Sequence, residues 1–99
     1  KAEDILTMAC VGGARAMGLD DCDDIAPGKK ADLCVIDLHR PNMQPVLNIP
    51  KNLVYAGSKE NVRLTMVNGS ILYENGQFFI GEEPEEIYHR VNSLCRSIL

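Results

Sequence analysis

The sequence predicts an α+β chain in which an antiparallel meander and one buried strand are flanked by an N-terminal and a C-terminal helix. Three observations carry this. Asn68-Gly69 and Asn75-Gly76 separate short β-prone runs, and Asn-Gly between such runs is the strongest local hairpin signal, because both central residues of a type I′ turn need positive φ. Leu33-Cys34-Val35-Ile36 is apolar without alternation, as suits a strand covered on both faces. Ile87, Val91, Leu94 and Ile98 recur at four, three and four residues, the spacing of one helical face.

Composition bounds the function classes. Ninety-nine residues make one small domain. The apolar fraction of 45%, the charged fraction of 24% and the formal net charge of -4 are those of an ordinary globular chain with no basic face for nucleic acid or anionic lipid. No apolar run reaches the ~20 residues of a membrane helix, and Lys-Ala-Glu-Asp is the wrong opening for a signal peptide. A cytoplasmic location is expected.

Residues 3 to 17 place Ile5, Ala9, Gly12 or Gly13 and Ala16 on one helical face, which is wide and built of small residues. Gly18 stands where a left-handed C-cap residue belongs, and Leu19 follows as the apolar residue of a Schellman end. Each interior glycine costs on the order of 1 kcal/mol against Ala. The pair reads either as a close contact with a neighbouring backbone or as a tolerated weak helix. Glu3 and Asp4 suit a helix N-terminus, but almost nothing precedes them to cap or staple it, so the element is expected to be cut from something longer.

Asp20-Asp21-Cys22-Asp23-Asp24 lacks the Gly and the closing Glu of an EF-hand loop and reads as a solvated loop. Pro27-Gly28 then turns the chain into the apolar strand, expected over Leu33 to Leu38 as the central one. Pro41, Pro45 and Pro50 exclude helix and central strand from the segment between Arg40 and Pro50. A long ordered connection results, and such loops are usually functional or pinned to a neighbour. Asn52-Leu53-Val54-Tyr55-Ala56 reads as a short strand or extended segment. The meander follows from Asn61 to Phe79, with room for a bulge at the turn after Tyr73. Pro84, Glu85 and Glu86 open the last helix, whose stripe faces a core or an interface. A membrane-surface helix needs far more Lys and Arg.

No catalytic constellation can be assembled. His39 and His89 lack His-x-His or His-Glu-x-x-His context, Ser58, Ser70, Ser93 and Ser97 lack a nucleophile-elbow pattern, and no phosphate loop occurs. Cys10, Cys22, Cys34 and Cys95 show no Cys-x-x-Cys. Their irregular spacing reads as reduced thiols, buried small hydrophobes plus one loop cysteine. Cys22, Cys34, His39 and His89 come nearest to a metal set, without paired spacing on any element. A small metal-binding regulator would need clustered ligands that are missing.

One ordered set of motifs stands out: Gly12-Gly13-Ala14-Arg15-Ala16-Met17-Gly18-Leu19, Pro27-Gly28-Lys29-Lys30-Ala31-Asp32-Leu33, Leu53-Val54-Tyr55, and Val62 to Val67 with Asn68-Gly69. It resembles the C-terminal part of metal-dependent amidohydrolases, in the group of methylthioadenosine or S-adenosylhomocysteine deaminases, triazine chlorohydrolases and guanine deaminases. The resemblance implies that residues 1-24 are the last helix of the parent's TIM-like barrel with its exit loop, 25-81 the C-terminal part of a composite β-sandwich, and 82-99 the C-terminal helix. It also implies a parent in which a divalent metal, zinc first and iron, nickel or manganese as alternatives, activates water. That water attacks an sp² carbon, deaminating a purine nucleoside-type substrate or hydrolysing a related C-N or C-Cl bond.

The family's metal ligands, a His-x-His pair, two further histidines and an aspartate at barrel strand ends, have no counterpart here. No catalytic, substrate-binding or metal residue is therefore assigned. This chain alone is expected to be inactive, with the remainder of the parent chain as its partner and self-association in the partner's absence. The competing reading is a self-standing β-rich interaction module whose strand edges bind a partner.

Overall fold

A computed structural model describes residues 1–99. The first helix runs as α1 (Ala2–Thr7), a π-helical stretch (Met8–Gly12) and α2 (Gly13–Ala16). It ends as the sequence indicated: Gly18 has φ +74, its N-H donates to the Arg15 carbonyl at 3.0 Å, and the Leu19 N-H reaches the Ala14 carbonyl at 2.8 Å. These are the two bonds of a Schellman motif. A Cβ built at Gly12 or Gly13 would meet only backbone of the same helix, the Thr7 and Met8 carbonyl oxygens at 3.7 Å.

Four strands, β1 (Leu33–Ile36), β2 (Val62–Val67), β3 (Ser70–Glu74) and β4 (Gln77–Phe78), form one antiparallel sheet in the order β1-β2-β3-β4. Both Asn-Gly steps are two-residue turns with positive φ at each residue, 49° and 80° at Asn68-Gly69 and 49° and 87° at Asn75-Gly76, matching type I′. The bulge falls elsewhere than the turn after Tyr73. The β2-β3 register shifts between Thr65 and Met66, and a second irregularity lies at Val35/Ile36 against β2. Tyr73 pairs with Phe78 across the β3-β4 hairpin, their rings 4.9 Å apart edge to face.

Three expectations are corrected. Within these residues β1 is an edge strand of four residues rather than a central one, because β2 alone pairs with it, and Val35 is 44% exposed. Residues 52–56 are helical, inside α3 (Ile49–Ala56), which also takes in Ile49 and Pro50 of the segment from which helix was excluded. Asn48 caps that helix, its Oδ1 accepting the Lys51 N-H at 3.0 Å, and Pro50 occupies the first turn, so local capping overrides the β-propensity of Leu53-Val54-Tyr55. The thiols of Cys10, Cys34 and Cys95 are exposed and only the loop residue Cys22 is half-buried, the reverse of the expected pattern, because the faces carrying the other three have no covering layer here.

The proline-rich connection is ordered and pinned. It holds a 3-10 turn (Pro41–Met43), buries Met43 completely and is tied down by Asn52 Nδ2 to the Met43 carbonyl at 2.8 Å and Gln44 Nε2 to the Leu38 carbonyl at 2.8 Å. The last helix, α4 (Pro84–Ile98), starts at Pro84 as expected. Ile87 of its stripe is half-buried and the rest is uncovered: Val91 is 52%, Leu94 64% and Ile98 82% exposed. Ala2, Met43 and Asn61 are the only buried residues, and the radius of gyration is 16.8 Å, against ~13 Å for a compact domain of this length.

Candidate functional site

The strand-entry motif is the polar hub of the chain. Lys29 Nζ donates to Asp23 Oδ1 at 2.7 Å and to the Asp20 carbonyl at 2.6 Å. Lys30 Nζ stands 3.4 Å from Asp21 Oδ2, and its backbone N-H donates to the Asp21 carbonyl at 2.6 Å. Asp32 Oδ1 accepts the Asn68 N-H at 2.6 Å, and the Gly69 N-H reaches the Ala31 carbonyl at 3.0 Å. The motif thus binds the acidic loop on one side and the β2-β3 turn on the other. Asp20, Asp21 and Asp24 of that loop are exposed, as expected of a solvated loop, whereas the Asp23 side chain is only 10% exposed.

At the other end of β1 lies a knot around Asn61, which is 2% exposed. Its Oδ1 accepts Asn42 Nδ2 at 2.7 Å and the Ser58 N-H at 3.0 Å, and its Nδ2 donates to the Asp37 carbonyl at 3.2 Å. Asn42 Nδ2 also reaches the Ala56 carbonyl at 2.9 Å, so one side-chain pair joins the residue after β1, the 3-10 turn, the end of α3 and the residue before β2. A buried polar group fully bonded in this way fixes geometry. The sequence reading passed over both asparagines, although Ser58-x-x-Asn61 has the spacing of a capping box and forms one.

Beside the knot a half-open cleft of ≈ 340 Å³ is lined by Asp37, Arg40, Arg63, Tyr73 and Asn75 among others. The Asp37 carboxyl is held below the usual carboxylate range by the His39 N-H at 2.9 Å, then by Arg40 Nε at 3.2 Å. A carboxylate committed in that way makes a poor general base near neutral pH. Desolvation, followed by the hydrogen bond and charge of Asp32, pushes the Cys22 thiol up, away from a thiolate nucleophile.

His39 sits just beyond β1 and His89 within α4, and no three His, Cys, Asp or Glu side chains stand close enough together to hold a metal ion. The residues of this chain therefore do not fit a catalytic metal. What the cleft and the hub can do chemically is hold elements in place.

The Amidohydrolase family pattern matches residues 1–72. The chain belongs to this family. Among its relatives, this amidohydrolase segment is 48% identical over 77 residues to the 5-methylthioadenosine/S-adenosylhomocysteine deaminase of Nitratidesulfovibrio vulgaris, covering 78% of this chain and 18% of that protein. It is 36% identical over 86 residues to the 5'-deoxyadenosine deaminase of Methanosarcina acetivorans, covering 87% of this chain and 20% of that protein. A solved adenosine deaminase from Xanthomonas campestris with bound zinc superposes with a TM-score of 0.92 at 26% identity, over 99% of this chain and 22% of that one. The chain thus spans about a fifth of the length of the relatives it matches. The resemblance seen in the motif order is borne out, as is the α+β fold with its closing helix. No helix is long and apolar enough to cross a membrane.

Proposed function

We propose that these residues are the structural C-terminal portion of an adenosine-type deaminase acting hydrolytically on a C-N bond of a purine nucleoside such as methylthioadenosine or S-adenosylhomocysteine. The 48% identity to a deaminase of that specificity carries the reading, and the 5'-deoxyadenosine and adenosine deaminases extend it to one substrate class. Zinc is the metal proposed for the whole enzyme, supported by the zinc in the adenosine deaminase. Its ligands would lie outside these residues.

In this reading residues 1-24 close the barrel, 25-81 contribute to the β-sandwich and 82-99 pack back on the body. Their partner is the remainder of the enzyme. The support is physical: β1 has an unpaired edge, the α4 stripe is bare beyond Ile87, and an apolar depression of ≈ 700 Å³ lined by Val62, Leu72, Phe78 and Ile80 lies open on the sheet. Surfaces of that kind are covered in a working protein, and in the remainder's absence the chain would cover them by self-association. Four unpaired cysteines suit a reducing, cytoplasmic location.

The test is an ammonia-release assay on the 99-residue chain with zinc and 5'-methylthioadenosine. No release above a metal-only blank is expected. Turnover would overturn the structural role.

A further inference from the structure

The segment between Met17 and Asp32 holds neither helix nor strand, yet it sets the direction in which the chain passes from the first helix into the sheet. It has little apolar anchorage. Ile25 is 78% and Leu19 43% exposed, and Cys22 is half-buried. Besides the Lys30 N-H bond to the Asp21 carbonyl and the Lys30-Asp21 pair, what grips it is charge on one carboxylate. From the helix side Arg15 Nε stands 3.9 Å from Asp23 Oδ2, and from the strand side Lys29 Nζ stands 2.7 Å from Asp23 Oδ1. The same ammonium takes the Asp20 carbonyl at 2.6 Å.

We propose that Asp23 is an electrostatic latch, fixing the path from the N-terminal helix into β1 by binding Arg15 on one side and Lys29 on the other, and releasing that path when its charge is removed. This goes beyond the proposed catalytic context and does not depend on it.

The surrounding charges fit the assignment. Asp20 and Asp24 reinforce Lys29, Lys30 is occupied by Asp21, and Asp32 is occupied by the Asn68 amide, so Asp23 is the carboxylate that faces both Arg15 of α2 and Lys29 of the turn leading into β1. Exposed ion pairs contribute little. The Asp23 side chain, however, is only 10% exposed and accepts a charge-assisted bond of normal length, so its neutralisation leaves Lys29 without its carboxylate partner.

Amide hydrogen exchange on Asp23→Asn, Lys29→Met and the charge-swapped Asp23→Lys/Lys29→Asp chain tests this. The expected result is exchange of the Lys30 amide, which donates to the Asp21 carbonyl, faster by roughly threefold or more in both single variants. Protection should return at least in part in the swapped chain, and amides of β2 and β3 should be unchanged throughout. Unchanged Lys30 exchange in the single variants would overturn the latch, leaving backbone bonds to hold the loop. Equal loss of protection in β2 and β3 would also overturn it, in favour of a general contribution to folding.

Discussion

The carboxamides of Asn42 and Asn61 bond to each other in both directions, Asn42 Nδ2 to Asn61 Oδ1 at 2.7 Å and Asn61 Nδ2 to Asn42 Oδ1 at 3.2 Å. In this open chain, where the apolar core is Ala2 and Met43, that pair takes over part of the organising role a larger core would have. Asn61→Ala removes the acceptor of the Ser58 amide and of Asn42 together. A loss of about 2 kcal/mol is expected in a urea melt, since a buried group left unpaired costs about 1–3 kcal/mol. A change within a few tenths would show that the knot is not structural.

The Asn68-Gly69 turn needs positive φ at both positions and has it. Gly69→Val places a β-branched residue at φ +80 and should cost ~1 kcal/mol or more through turn strain. Space is not the problem, because nothing lies within 4 Å of a Cβ built there. A thermal melt matching the parent's would remove the hairpin assignment.

Gly57 is the opposite case. Its φ of -64 suits any residue, but a Cβ would sit 2.5 Å from the Leu53 carbonyl oxygen. Backbone at that distance cannot yield without distorting the end of α3. Gly57→Ala should therefore destabilise by about 1–3 kcal/mol, where an ordinary Gly→Ala change at a compatible site stabilises. Unchanged or raised stability would contradict the steric assignment.

Asp23 and Asp37 are both held below the usual carboxylate range, Asp23 first by its bond to Lys29 and Asp37 first by the His39 amide. A carboxyl whose folded value is depressed contributes stability that is present above its unfolded value of ~3.9 and is lost as pH falls through the folded value. Stability should thus decline below about pH 4, and the decline should be shallower in Asp23→Asn/Asp37→Asn. Equal pH slopes for parent and double variant would exclude these groups as its source.

Where local chemistry decides the structure, the sequence was readable. The two Asn-Gly turns, the Schellman end at Gly18-Leu19 and the proline start of α4 follow from φ preferences and unpaired backbone groups, and each is present. Tyr55 and its neighbours were misread as extended because β-propensity is weak evidence beside an Asn48 cap and a first-turn Pro50.

The place of β1 was misjudged for a different reason. An unbroken apolar run is the pattern of a strand covered on both faces, yet here β2 alone pairs with β1 and Val35 is 44% exposed. The structural asparagines escaped notice because their bonds join positions 19 residues apart, which no periodicity reveals. The family was legible from the order of short motifs, each weak by itself. No active site was legible because the family's histidine and aspartate ligand motifs do not occur in these residues.

The central claim is that these residues supply the closing structural part of an adenosine-type deaminase and none of its catalytic groups. It is tested most directly by a hybrid enzyme, in which residues 1–99 replace the matching segment of the Nitratidesulfovibrio vulgaris deaminase, assayed for ammonia release from 5'-methylthioadenosine. The account predicts a folded, active hybrid whose turnover survives His39→Ala and His89→Ala unchanged. A hybrid that folds with its metal bound but does not turn over, or one silenced by either histidine substitution, would contradict it.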